Sequence, residues 1–343
     1  MQTLIDQSSI RLNIKKDTVP GNYTEAIQDK MAALDIELNW LIADANEVSD
    51  NLCISCAQLS SIKNVTIEDY IEHIIIQIPF DFDALRLLVE GESKIIKLLN
   101  DKIVIEKFKP TIYSYTHNRY GVVDTTDNLR VKFTSEVFRQ MNRYAKISGK
   151  NLKNAFLGCI EDETGIYLVQ ERMVTSNLEI RVKRYHVGSP VHRYRFTESY
   201  DTLQKDKKPL FNWTRFDKPI VCFDWRHPLT DEHGARLADE PISDDYASIW
   251  MKNIPQAKQL ASDTFIWLES LFAKANLVLV DICYFINKDG NCFFGEISPD
   301  CMRVRQSIDE DAQSYDKDIW RKGGSKKDIA TQYELLYDLI FNQ

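Results

Sequence analysis

The stretch "FFGEISPDCMRVR", residues 293–305, gathers Glu296, Asp300, Arg303 and Arg305 around Pro299 at the end of an aromatic strand. Two acids beside two arginines can hold a cation and an anionic substrate. A solvated turn has the same composition. Just upstream, "LVLVDICYFINKDGNCFFGEI" reads as a β-hairpin turning at "NKDG". Counted as a four-residue loop, that turn sets Ile286 opposite Asn291 and Asp281 opposite Glu296. Side chains alternate with period two, so both acids are expected on one face. Like charges paired across a ladder cost roughly 0.2–1 kcal/mol, and burial adds to the cost unless a cation neutralises them. Mg2+ suits one or two carboxylates plus phosphate oxygens. A Lys or Arg from elsewhere would serve equally. Asp300 adds a third acid just past the strand.

Two further stretches carry charge suited to anions. "LEIRVKRYHVGSPVHRYRF" holds Arg181, Lys183, Arg184, His192, Arg193 and Arg195. It reads as a pocket for phosphate or carboxylate, with Gly188 and Ser189 in a close-approach turn, or as a strand edge kept basic against aggregation. "LRLLVEGESKIIKLLNDKIVIEKFK" reads as three short strands. The Gly-containing loop before Lys94 can lay N–H groups and an ammonium against phosphates, though any hairpin may hold a glycine.

The elements that must position these residues follow from periodicity. "NIPQAKQLASDTFIWLESLFAKAN" is a helix with Pro255 near its start, and Ala257, Leu260, Ala261, Leu268, Leu271 and Phe272 form its core stripe. "KKDIATQYELLYDLIF" is a closing amphipathic helix. Residues 1–80 read as an added, mainly helical segment, with Ile27, Met31, Leu34, Leu38 and Leu41 at helical spacing. "IEDYIEHIIIQI" fits helix or strand.

The 343 residues carry a net charge of −8, which argues against nucleic acid as the main ligand. No apolar run is long enough for a bilayer, and charges interrupt the N-terminal apolar stretches, so neither a membrane partner nor a signal peptide is expected. Among seven cysteines only Cys53 and Cys56 form a CxxC, without a second pair to complete a zinc site. A reducing, cytoplasmic setting fits.

"GEISPDCMRVR" resembles the "DEISPDxxRLW" segment of the SAICAR synthetases, the phosphoribosylaminoimidazole-succinocarboxamide synthases of purine synthesis. "SYDKDIWR" resembles their "DKDxFR", "KANLVLVDICYFI" their "GLILVDFKLEF", and "LEIRVKRYHVGSP" their "VEVVVRxxAAGS". "LLVEGESKIIKL" is similar to their opening "LYEGKAKxxY". "PIVCFDWR" followed by "LADEPIS" is similar to "PIVEFYYK" followed by "DPLIN". The matches keep the family's order over about residues 85–343.

The resemblance implies an α+β fold of two lobes, with residues 81–172 as the β-rich N-lobe and 173–343 as the C-lobe, the segment 1–80 being accessory. It implies ATP between the lobes, its adenine against Val169, Gln170 and Glu171. Lys94, Arg226 and Glu240 (or Asp239) would meet the nucleotide. Lys183, Arg184, Gly188, Ser189, Arg303, Lys317 and Arg321 would hold an acid and an amino acid, with Lys94, Arg226, Asp281 and Glu296 as the catalytic set. Mg2+ would rest on Asp281, Glu296 and Asp300, because two positions that hold magnesium in the family pattern are Phe285 and Gly295 here. The family's arginine falls at Lys183, and its "VDFK" lysine at Cys283. The implied activity is amide formation between a carboxylate and an amine at the expense of ATP, on a modified or non-purine acid. A true SAICAR synthetase, a nucleotide-binding pseudoenzyme and a small-molecule kinase are the alternatives. Self-association is common in the family.

Overall fold

The computed structural model describes residues 10–41, 53–114, 119–188, 209–227, 232–233, 239–309 and 311–342, with Tyr194, Thr197, Glu198 and Leu237. The chain forms two compact units. One comprises residues 1–110 and 131–173, the other 111–130 and 174–343.

The first unit opens with β1 (Ile10–Lys15), α1 (Gly21–Ala33), β2 (Ile36–Leu41) and β3 (Cys53–Ile54). The three strands are parallel, in the order β2-β1-β3. The segment is therefore not mainly helical, as its spacing suggested. Asp35 adopts a left-handed φ of 59° and ends the helix. Beyond it, Ile36 and Leu38 are buried with period two, so the 34-to-38 spacing belongs to two different elements. The "IEDYIEHIIIQI" stretch forms α2 (Ile67–Ile75). A capping box decides it: the Thr66 hydroxyl accepts from Asp69 N–H at 3.2 Å, and the Asp69 carboxylate accepts from Thr66 N–H at 2.7 Å. Cys56 is buried and its thiol is pushed up to about 11, which leaves it no reactive thiolate.

Next come β4 (Arg86–Glu90), β5 (Lys94–Leu98) and β6 (Ile103–Phe108), the three expected strands. The hairpin β7 (Thr111–Ser114) and β8 (Arg119–Val122) belongs to the second unit. The long helix α3 (Thr126–Ser148) leads to β9 (Phe156–Asp162) and β10 (Gly165–Glu171). Strands β4-β5-β6-β10-β9 form one antiparallel sheet. Helix α2 lies so close to β9 that a Cβ on Gly158 would come 3.1 Å from Ile76. Arg139 of α3 donates to both oxygens of Glu72, at 2.7 and 2.9 Å, and ties the two helices together.

Residues before Leu85 share one core with this sheet. Ile14, Ile27, Met31, Tyr70, Ile74 and Ile75 pack in a cluster with Ile103, Ile105, Leu157, Tyr167 and Val169. Removing residues 1–80 is thus expected to uncover the sheet and abolish cooperative unfolding of the first unit. Near-UV circular dichroism across a urea titration checks this, and a sharp, native-like transition in the truncated chain would contradict it.

The second unit is built on β11 (Leu178–Tyr185), β12 (Arg215–Trp225), β13 (Glu240–Ile242), β14 (Val278–Ile286), β15 (Phe293–Phe294) and β16 (Met302–Arg305). The order is β13-β12-β11-β14, with β15 and β16 both pairing β14. A short α4 (Asp244–Ala247) precedes α5 (Ile254–Lys274), which is capped by Asn253 accepting from Gln256 N–H at 3.0 Å. Of its expected stripe, Ala257, Leu260, Ala261, Leu268 and Phe272 are buried along with Phe265, and Leu271 is half-buried. Helices α6 (Asp318–Arg321) and α7 (Lys326–Phe341) close the chain. Among the described residues, no helix is long and apolar enough to cross a membrane.

Candidate active site

Alternation along β11 divides its side chains between two faces. Leu178, Ile180 and Val182 are buried on the face that α5 covers. Glu179, Arg181 and Lys183 take the other face. Register places Asp224 and Cys222 of β12 and Cys283 and Asp281 of β14 beside them, and Arg303 of β16 next to Asp281. A polar face results, set against an apolar one in the same sheet.

Its centre is Asp281, 4% exposed. One of its oxygens accepts from Lys183 Nζ at 2.5 Å and from Arg303 Nη1 at 2.6 Å. Burial opposes ionisation of this carboxyl, but Arg303 and Lys183 outweigh it and hold it well below the usual carboxylate range. Lys183 also donates to the Val187 carbonyl at 3.1 Å. Gly188 follows at φ 71°, and a Cβ there would sit 3.0 Å from the Arg303 guanidinium. Only glycine combines that backbone with that approach. Arg303 reaches Asp318 at 3.4 Å, and Arg321 pairs with Asp318 as well. Lys183, Gly188, Arg303 and Arg321 are thus brought to one cluster. Ser189 lies outside the described residues.

Asp316 lies beneath this cluster. It accepts from Val304 N–H at 2.6 Å and Asp318 N–H at 2.7 Å. Burial, and then repulsion from Asp318, pushes its carboxyl up to about 7. Its contribution to stability is therefore complete below about pH 4 and is lost as pH rises through about 7. We expect about 1 kcal/mol more stability at pH 6 than at pH 8. Urea unfolding at both values, with Asp316→Asn as the comparison that removes the difference, measures it.

Three expectations are corrected. Asp281 and Glu296 do not face each other. The Asn287 side chain accepts from Asn291 and Cys292 N–H, at 3.0 and 3.2 Å, and enlarges the loop so that Ile286 pairs with Phe293 and Phe285 with Phe294. Gly295 at φ 77° then turns the chain away. Glu296 is instead paired in both directions with Arg130, through Nε–Oε1 and Nη2–Oε2 contacts of 2.7 Å each. Asp300 takes Lys317 at 3.3 Å and the Tyr333 hydroxyl at 3.4 Å. The three acids expected to share a metal therefore each hold their own cation, and no cluster of three potential ligands occurs among the described residues. They do not fit as a metal's donor set. Arg184, one residue from Lys183, projects to the helix side, where it donates to Glu269 of α5 at 2.7 Å and to the Asp217 carbonyl at 3.0 Å.

The remaining expected residues divide between the units. In the first, Lys94 Nζ donates to Glu106 at 3.0 Å and sits 4.3 Å from the Phe108 ring centroid. Val169 and Gln170 are buried, and Glu171 pairs with Lys30. In the second, Arg226 is exposed at the end of β12, and Glu240 lies 3.7 Å from His227. Arg130, Asp224 and Glu269 are the partners that the sequence did not single out. Arg130 and Glu296 are 166 positions apart, and nothing local signals their pairing.

A sequence model described as SAICAR synthetase matches residues 87–335. The phosphoribosylaminoimidazole-succinocarboxamide synthase of Methanocaldococcus jannaschii is 25% identical over 256 residues, covering 74% of this chain and 93% of that protein. A bifunctional cordycepin biosynthesis cluster protein 3 of Cordyceps militaris is 24% identical over 301 residues, covering 75% of this chain and 33% of its own length. Among solved structures, a type-2 SAICAR synthetase in complex with ADP superposes with a TM-score of 0.58 at 22% identity, over 75% of this chain and 98% of that one. The Saccharomyces cerevisiae SAICAR synthase complexed with SAICAR gives 0.57 at 15% identity, over 78% and 98%. With its characteristic segments matched over most of its length, the chain belongs to the SAICAR synthetase family of ATP-dependent carbon–nitrogen ligases.

Proposed function

We propose that this ligase joins an amine to a carboxylate through an acyl phosphate, and that its acid is not the purine ribotide. The observation that carries this reading is the Lys183–Asp281–Arg303 cluster. Lys183 stands at the position of a family arginine, and an ammonium cannot present the planar fork that an arginine offers a carboxylate. The positive charge at this position is kept and the fork is lost, while the surrounding sheet is kept. A relative named for cordycepin biosynthesis supports a family role outside the purine synthases.

In this scheme a carboxylate oxygen of the acid attacks the γ-phosphorus of ATP, and ADP leaves. The amine then attacks the acyl carbon, the amide forms and phosphate departs with the carboxylate's former oxygen. Arg303 and Arg321 hold the acid, Lys183 keeps Asp281 ionised, and Gly188 leaves room for both. Arg226 serves the nucleotide. These groups position reactants and neutralise charge, which is what phosphoryl transfer asks of a protein.

The test uses acids labelled with 18O in the carboxyl group. Transfer of label into inorganic phosphate, dependent on ATP and an amine, is the expected result. Phosphorylated product without amide would instead identify a kinase. Rescue of a strain lacking the purine synthase would return the acid to the purine ribotide.

A further inference from the structure

Arg226 carries a second message. Its guanidinium carbon lies 4.9 Å from the centroid of the Phe285 ring. Phe285 pairs in register with Phe294, and the two half-buried rings are 5.7 Å apart at 38°. The main chain of Arg226 is fixed on both sides by Asn177, which accepts its N–H at 3.3 Å and donates to its carbonyl at 3.0 Å. Its side chain remains exposed. The arrangement is a guanidinium seated on an aromatic platform, with its N–H edges available.

The family resemblance puts magnesium-holding acids at two positions of this hairpin. Here one is Phe285. The other is Gly295, whose φ of 77° disfavours any side chain and whose Cβ would touch the Phe285 ring at 3.4 Å. A carboxylate at either place is replaced by apolar surface. Of the other acids on the polar face, Asp224 pairs with Arg181 and Asp281 with Lys183 and Arg303, while Glu179 lies near Asp239. Burial and then Glu179 raise the Asp239 carboxyl, while Arg226 and Arg181 lower it.

We propose that this chain meets a nucleotide's phosphates with the ring-seated guanidinium of Arg226 in place of a protein-held divalent cation. A fixed organic cation and a carboxylate-bound metal perform the same neutralisation. A ring beneath the guanidinium orients it and weakens its competition with water. The inference rests on the ATP-dependent reading above and adds that nucleotide binding needs no metal ligand from the protein.

Calorimetric titration of the full chain with ADP, once in excess Mg2+ and once in EDTA, tests it. Dissociation constants within about threefold of each other are expected, and Mn2+ alone, followed by electron paramagnetic resonance, should bind no tighter than about 1 mM. Phe285→Leu should weaken ADP about three- to tenfold in both media, while Phe285→Tyr, which keeps the ring, should match the parent. Arg226→Gln should weaken it more than Phe285→Leu does. A micromolar Mn2+ site, or an ADP affinity that falls more than about tenfold in EDTA, overturns the inference and leaves the ligase reading standing. An ADP affinity untouched by Arg226→Gln also overturns it. No binding of ADP in either medium removes the ATP-dependent reading, and the inference with it.

Discussion

Replacing Glu296 by glutamine will destabilise the second unit by about 3–5 kcal/mol, because it leaves a buried guanidinium without its counter-ion. Arg130 is 0% exposed and Glu296 6%. Glutamine preserves the shape but not the charge, and its amide presents one acceptor where the carboxylate presents two. Were Glu296 a magnesium ligand, as the resemblance implied, the fold would survive the change and the Mg2+ requirement would rise. Chemical denaturation of the variant separates the two outcomes. The double variant Arg130→Met with Glu296→Gln should recover much of the loss, since removing both charges costs less than removing one. An unchanged unfolding midpoint in Glu296→Gln would show that this pair does not hold the unit together.

Arg303→Ala is expected to lower kcat/KM for the acid by about ten- to a hundredfold, the worth of one charge-assisted hydrogen bond. ADP affinity should stay as it was, because Arg303 serves the acid in this reading and its neighbours are Asp281, Asp318 and Gly188. Lysine at 303 should restore little, as it keeps the charge and loses the fork. Steady-state kinetics with the acid varied, beside ADP titration, separate the two effects. Equal losses in both would mean that the residue supports the fold of the second unit and not the substrate.

What the sequence made legible follows the range over which each signal acts. The three strands 86–108 and the stripe of α5 were read in place, because turn residues and apolar period act within a few positions. Hairpin parity put Asp281 on the polar face, yet the partner was misread. Parity survives a loop enlarged by two residues; identity does not. Arg184 was grouped with Lys183 by adjacency, although adjacent strand residues point to opposite faces. Helix α3 and the parallel strands of residues 10–54 were not read at all. The apolar positions of the parallel strands are explained by a shared core with residues 103–169, which no window of a dozen residues contains. The ion pairs that decide the site, Arg130 to Glu296 and Lys183 to Asp281, span 166 and 98 positions and leave no local trace.

The hairpin of β7 and β8 sits in the chain inside the first unit and belongs to the second. Its contacts are late ones. Arg119 stacks 3.6 Å from the Trp320 ring centroid and donates to the Gly324 carbonyl at 3.0 Å, while Gly121 leaves the space that the indole fills. At a synthesis rate of roughly 5–20 residues per second, the 201 positions from Arg119 to Trp320 take the ribosome about 10–40 s. During that interval Ile112 and Val123, both buried in the finished fold, lack Trp320, Ile329 and Tyr333 of their cluster. The nascent chain therefore carries a waiting hairpin past the completion of its first unit, and its yield in a cell will depend on what shields that hairpin until the last helices emerge.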